Sequence, residues 1–289
     1  MKHEPLSRIL VPTDMSDASA HALRYATRLA SRFDATLLVV YARDVMPPID
    51  FGAPMTPMTL NADLEEIARE ELLAFAESNI VPQVPFEIAV ADDTPLNAIL
   101  SYAKTSRAQL IVMGTHGRTG FRRLVLGSVT ETVMRHATVP VLTIGTRTAD
   151  TRISPAMPRI ACYIDDVRSA QAVLEAAAAV AGPTTEFTIL TTGSTMTRAA
   201  IPAELARRTH ITPLEEEDVV TEVTLNARSI LADLIVLATP LRHDPLDVLR
   251  GTAVERIVQQ SACPVLVVNE AQRPVAAKST LVPSEAATY

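Results

Sequence analysis

Tryptophan does not occur in the 289 residues, aromatic residues make up 4% of them, and lysine appears only at Lys2, Lys104 and Lys278. The shortage of lysine excludes a Walker A loop, which needs a lysine after its second glycine, because none of the three lies in a glycine-rich stretch. Two cysteines, Cys162 and Cys263, are too few for a disulfide framework and lack metal-ligand spacing. Cys162 sits in an apolar run and is expected in the core. The net charge of −7 leaves no basic face for general nucleic-acid binding. No apolar run approaches the ~18 residues of a membrane helix, and the opening MKHEPLSRILVPTD lacks the apolar stretch of a signal peptide. A cytoplasmic protein that binds neither membrane nor nucleic acid is the expectation.

What is present is aliphatic. Apolar residues reach 48% with few aromatics, the composition of a buried parallel sheet. Four of the nine glycines, Gly114, Gly117, Gly120 and Gly127, crowd one short stretch between the apolar run Leu110, Ile111, Val112, Met113 and a helical pattern leading to His136. A strand that runs through glycines into a helix N-terminus lets a ligand approach the backbone and offers free N–H groups to an anion. Phosphate is the natural ligand. The spacing is Gly114-x2-Gly117-x9-Gly127-Ser128, which is not the GxGxxG turn of a dinucleotide fold.

Periodicity predicts strands at 8–13, 36–42, 86–90, 110–113 and 141–144. Helices are expected at 16–33, 63–79, 94–103 and from Val129, with 46–61 as a proline-rich loop. Met46, Met55 and Met58 in that loop are read as a surface lid that could pack over a ligand. The helix at 63–79 is expected to face the core through Leu64, Ile67, Leu72 and Phe75. Alternating strands and helices imply a parallel sheet with right-handed crossovers.

The pattern then repeats. RILVPTD at 8–14 returns as RIACYID at 159–165. The stretch beginning LIVMGTHG at 110 returns as LIVLATPL at 234, and ATVPVLTI at 137–144 returns as SACPVLVV at 261–268. Two tandem domains are expected at 1–147 and 159–269, with a linker at 148–158 and a disordered tail at 270–289. In the second copy Ala238 and Leu241 replace Gly114 and Gly117, whereas Gly251, Thr252 and Glu255 are kept. The second copy is expected to bind a phosphate chain weakly or not at all, although Asp165 retains the place of Asp14.

The glycine spacing, the hydroxyl residue and the preceding strand resemble the nucleotide loop of the universal stress protein family, and the resemblance covers residues 5–270. It implies an α/β architecture of two tandem Rossmann-like (HUP-type) domains, each a five-stranded parallel sheet sandwiched by helices. It also implies ATP or ADP as ligand, with or without magnesium. The implied contacts are Pro12, Thr13, Asp14, Ala42, Met113, Gly114, His116, Gly117, Arg118, Gly127, Ser128, Val129 and Thr130, with no catalytic or metal-ligating residue among them.

Each contact has a plainer alternative. Asp14 could bond a ribose hydroxyl or adenine amine, or merely cap the next helix. Ser128 with Glu131 reads as a capping box, which needs no ligand. His116 could bond phosphate, and Arg118, Arg122 and Arg123 could reach phosphates or form a solvated face.

Family members pair through their last strands, so 141–144 is expected to meet 265–268 within the chain. A further homodimer is left open, and so is the identity of any protein partner. The leading function is a stress-response regulator that binds ATP in its first domain. A slow ATPase and a chaperone-like module with a structural nucleotide are the alternatives.

Overall fold

The computed structural model describes residues 6–43, 57–116, 126–148, 157–192, 201–215, 218–239 and 252–269. The first half alternates β1 (Arg8–Thr13), α1 (Asp17–Phe33), β2 (Thr36–Arg43), α2 (Pro57–Asn79), β3 (Phe86–Asp92), α3 (Pro95–Thr105), β4 (Leu110–Gly114), α4 (Ser128–His136) and β5 (Val141–Ile144). The second half follows with β6 (Arg159–Ile164), α5 (Val167–Val180), β7 (Glu186–Thr192), α6 (Ala203–Ala206), β8 (Thr209–Leu214), α7 (Val219–Ser229), β9 (Leu234–Thr239), α8 (Ala253–Gln260) and β10 (Val265–Asn269). Residues 149–156 of the expected linker and the tail from 270 lie outside the described residues.

All ten strands form one sheet, ordered β3-β2-β1-β4-β5-β10-β9-β6-β7-β8. Pairing is parallel within each half and antiparallel only where β5 meets β10, with Leu142 opposite Leu266 and Thr143 opposite Val265. This is the expected pairing of last strands, closed within one chain. The Thr143 hydroxyl adds a 3.0 Å bond to the Val265 carbonyl. The two core clusters, each with residues of both halves, separate residues that alternate along the strands. Val11, Leu142, Cys162 and Leu266 share one cluster, and Leu10, Val141, Ala161 and Val265 share the other. Burial pushes the Cys162 thiol up to about 12, which fits the core role expected of it.

Local chemistry explains the helix ends. Ser16 caps α1 by accepting from the Ser19 amide, and Asp34 closes that helix in the left-handed region at φ 56°. Thr94 caps α3, and Pro95 occupies its first turn, where no N–H is needed.

One helix departs from the sequence reading. The loop expected at 46–61 gives way to α2 at Pro57, because a proline in the first turn starts a helix as readily as it breaks one. Met58 therefore lies on helical backbone, whereas Met46 and Met55 lie outside the described residues. The packed face also differs. Leu64 and Ile67 are 46% and 52% exposed, while Ala68, Leu72, Ala76 and Ile80 are buried at a regular spacing of four. Small alanines let the helix lie close on the sheet, and the larger side chains before Ala68 face outward. Leu72→Ala is expected to cost about 2–5 kcal/mol and Ile67→Ala less than about 0.5 kcal/mol, as read by urea denaturation.

The halves are also tied by side chains. Arg135 on α4 reaches Glu131 at 2.7 Å on its own helix and Glu255 at 2.5 Å on α8. Its carbonyl accepts from the Asn269 side-chain Nδ2 at 2.9 Å. On the opposite face the Arg32 guanidinium lies 4.7 Å from the Phe33 ring centre and donates to the Val180 carbonyl. Among the described residues no helix is long and apolar enough to cross a membrane.

Candidate functional site

In the first half β1 sits between β2 and β4, so successive crossovers leave in opposite directions and open a crevice at the carboxyl ends of these strands. Three tightly bonded residues end β1. The Thr13 hydroxyl donates to Ser19 Oγ and accepts from the Met15 amide, both at 2.9 Å. Met15 adopts φ 60°, which turns the chain sharply into α1. Asp14 Oδ1 accepts from the Ser16 amide at 3.1 Å and from the Ser16 hydroxyl at 2.6 Å. The capping residue is thus Ser16, and Asp14 steadies it from the crevice side.

Across the crevice β4 ends in Met113 and Gly114, and the chain continues to Thr115 and His116. A Cβ on Gly114 would lie 3.1 Å from the Ala18 carbonyl oxygen, so glycine here lets β4 approach the first turn of α1. Gly127 is different. Its φ of −63° suits any residue, and a Cβ would meet nothing nearer than the Thr115 oxygen at 3.4 Å. Packing within the described protein therefore does not require a glycine at 127. Two bonds hold α4 against β4: the Gly127 amide to the Thr115 carbonyl at 2.8 Å, and the Thr130 hydroxyl to the Gly114 carbonyl at 2.9 Å.

Together these parts enclose a cavity of about 490 Å³, inside the ~300–1,000 Å³ range of small-molecule sites. Its wall contains Pro12, Thr13, Asp14, Ala42, Met113, Gly114, His116 and Gly127 to Thr130. Of the residues expected from sequence, only Gly117 and Arg118 are absent, and both lie outside the described residues, as do Arg122 and Arg123. The sequence reading missed Ser19, Val40, Tyr41, Pro95 and Ile99. Val40 and Tyr41 directly precede Ala42 on β2 and could have been inferred from it. Pro95 and Ile99 come from α3, whose first turns overhang the crevice without any motif to mark them.

The His116 imidazole carries a specific asymmetry. Nδ1 bonds the Thr115 hydroxyl at 2.8 Å, whereas Nε2 is buried with no partner among the described residues. Burial pushes the imidazole pKa below its usual range, so the ring is neutral at pH 7. When the Thr115 hydroxyl donates to Nδ1, the ring proton sits on Nε2 as an unused donor at the cavity wall.

The capping box expected at Ser128 and Glu131 does not form. The N-cap is Gly127, which has no side chain, and Ser128 lies one residue too far into the helix. The Glu131 carboxylate turns instead to Arg135, four residues on. In the second half the same sequence pattern does close. Thr252 Oγ1 accepts from the Glu255 amide at 3.2 Å, and Glu255 Oε2 accepts from the Thr252 amide at 3.1 Å. Gln259 stands there at the position matching Arg135, so no cation on α8 competes for the glutamate at that place. The N-terminus of α8 thus has a side-chain cap, the Thr252 hydroxyl held in a box with Glu255, and that of α4 has none.

The remaining second-half counterparts diverge in step. Ala238 takes the place of Gly114 and is buried in β9. Asp165 is exposed at the end of β6, and Asp166 caps α5 instead, accepting from the Arg168 amide at 2.9 Å. Leu241 lies outside the described residues. So does Gly251. No group of three or more histidine, cysteine, aspartate or glutamate side chains suited to a metal occurs among the described residues.

The sequence and the fold are shared with known proteins. The family model for universal stress proteins matches residues 5–145 and 198–269. A universal stress protein of Methanocaldococcus jannaschii is 35% identical over 137 residues, covering 47% of this chain and 81% of its own length. One from Mycobacterium bovis is 32% identical over 142 residues, 48% of this chain and 44% of the relative, so the match spans less than half of that protein. The crystal structure of a universal stress protein from Archaeoglobus fulgidus superposes with a TM-score of 0.64, covering 91% of this chain and 96% of its own. At 18% identity it establishes the shared fold. With the family model matching more than half of the residues, the chain belongs to the universal stress protein family.

Proposed function

We propose that the first half binds one adenine nucleotide, ATP or ADP, and that the chain acts as a nucleotide-dependent regulator in the stress response. Residues 1–147 are the binding domain in this reading, and 159–269 are its nucleotide-free partner. The observation that carries it is the difference between two equivalent helix ends. The α4 N-terminus opens on the crevice without a side-chain cap, while α8 is capped by the Thr252 hydroxyl in a capping box with Glu255. Uncapped first-turn amides and the positive end of the helix dipole favour a phosphate group.

The residues present fit such a ligand. The buried Nε2 of His116 has no partner among the described residues and would donate to a phosphate oxygen in the tautomer that carries its proton, and Gly127 leaves room where a side chain would stand. The amides of Ser128, Val129 and Thr130 would face phosphate oxygens, with Gly117 and Arg118 completing the loop. Asp14 would accept from a ribose hydroxyl or the adenine amine, and the Ala42 backbone would meet the base. The bound nucleotide supplies negative charge at the head of α4.

Gly117→Leu, which writes the second half's residue into the first, tests the reading by calorimetric titration with ATP. A methylated branch where the phosphate chain should pass is expected to lower affinity at least about tenfold, roughly 1.4 kcal/mol. Unchanged affinity would remove the loop from the site.

A further inference from the structure

A second cavity, of about 220 Å³, lies beside the amino ends of β6, β9 and β10, on the same edge of the sheet as the carboxyl ends of β4 and β5. Because β5 runs antiparallel to β10, the turn that follows β5 arrives there and delivers Thr148 from the first half. Thr148 is 4% exposed, and its hydroxyl has no hydrogen-bond partner among the described residues. The second half contributes Arg159, Arg228, Asp233, Ser261 and Cys263 to the same wall.

Comparison of the repeats separates structural from unexplained groups. Asp233 Oδ2 accepts from the Arg159 amide at 2.9 Å and anchors β6. Gln109 does the same for β1, accepting from the Arg8 amide at 3.2 Å. The guanidinium groups do not match. Arg8 pairs with Glu87 at 3.0 Å, whereas among the described residues neither Arg159 nor Arg228 has its guanidinium in a hydrogen bond or close ion pair. The Ser261 hydroxyl is already engaged, donating to the Cys263 carbonyl at 2.7 Å and accepting from the Cys263 amide at 3.2 Å. Among the described residues, two guanidinium groups and one buried hydroxyl therefore border this pocket without a hydrogen-bond partner, and Arg159 acts on Asp233 through its charge.

We propose that this cavity binds a compact anion, inorganic phosphate or a small phosphate monoester, held by Arg159, Arg228 and the Thr148 hydroxyl. Planar guanidinium forks match phosphate oxygens and give charge-assisted bonds. The volume falls below the ~300 Å³ lower bound for drug-sized ligands, which excludes a nucleoside triphosphate. The Asp233 carboxylate is the one negative group in the wall. Its Oδ2 is committed to the Arg159 backbone amide. Since Thr148 comes from one half and both arginines from the other, the ligand would bind where the chain passes between them.

Cys263 supplies a local probe. It is half-buried in this wall, while Cys162 is wholly buried. Burial pushes the Cys263 thiol up to about 11, so alkylation by iodoacetamide is followed at about pH 9, where some thiolate exists. Full-length protein saturated with ATP is used, so that phosphate cannot report through the crevice. Phosphate at about ten times its dissociation constant is expected to slow Cys263 alkylation about tenfold, with matched chloride having no effect. Broadening of the phosphorus resonance of added inorganic phosphate is the second readout. Arg159→Gln with Arg228→Gln is expected to abolish both signals while the melting temperature stays unchanged. Arg228→Gln alone, at an exposed position, serves if the pair of substitutions unfolds the chain. Absence of both signals in the native protein, or their persistence in the arginine variants, would overturn the proposal.

Discussion

Gly127→Asp is expected to melt at a higher temperature than the native chain and to lose its affinity for ATP roughly a hundredfold or more. Both effects follow from one place. The backbone at 127 already has the extended geometry of an N-cap, φ −63° and ψ 135°, and a Cβ there meets only ordinary contacts. An aspartate can accept from the open first-turn amides, adding about 0.5–2 kcal/mol, with a further ~0.3–1 kcal/mol from the helix dipole. At about 2–4 °C per kcal/mol for a chain of this order of size, the melting temperature rises by several degrees. The same carboxylate stands where phosphate oxygens would bind. Like charges about 4 Å apart at an effective dielectric near 20 repel by about 4 kcal/mol. Gly127→Asn separates the causes, since it caps the helix without charge and should keep more of the affinity. A fall in melting temperature with affinity intact would show that the α4 N-terminus is not the anion site.

Glu255→Ala is expected to have the largest effect on stability of any change at the junction, lowering it by about 2–4 kcal/mol in urea denaturation. Its carboxylate is 9% exposed and does two jobs, closing the α8 cap through Oε2 and binding Arg135 of the other half through Oε1. Removing it opens the cap and strips a partner from Arg135, whose guanidinium it pairs through Oε1. Glu131→Ala makes the contrast. Its side chain is 35% exposed and shares Arg135 without capping anything, so the cost should stay below about 1 kcal/mol. Because core clusters on both sheet faces run through both halves, the loss should shift one cooperative transition. A native melting profile in two steps, with the first-half step unmoved by Glu255→Ala, would contradict this account of the junction.

The repeat made much of this architecture legible in advance. Two copies of RI-x4-D and PVL fixed the strands at 8–13, 141–144 and 159–164, and their last strands pair as the family resemblance implied. The crevice was legible because its parts are short and adjacent to the strand ends. Pro12 to Asp14 and Met113 to His116 could hardly avoid it once the sheet was parallel. Features decided by competition between neighbours were harder to read. Ser128 and Glu131 spell a capping box, yet Arg135 takes the glutamate, and one residue of helical phase removes the serine from the cap. The inner face of α2 was legible at Leu72 but not at its start, since the spacing of Ala68, Leu72 and Ala76 outweighed the larger Leu64 and Ile67. Ile99 carries no signal at all, because an aliphatic side chain over a ligand looks the same in sequence as one over a core.

The asymmetry between the two halves is the central claim, and counting nucleotides tests it most directly. Purified full-length protein is extracted under denaturing conditions, the released adenine nucleotide is identified and counted per chain, and the refilled protein is titrated with ATP and magnesium. The account predicts one nucleotide per chain, lost in Gly127→Asp and unaffected by Thr252→Ala. None in either experiment would contradict it by making the glycine loop a simple turn. Two per chain would contradict it by showing that the capped helix of the second half binds as well.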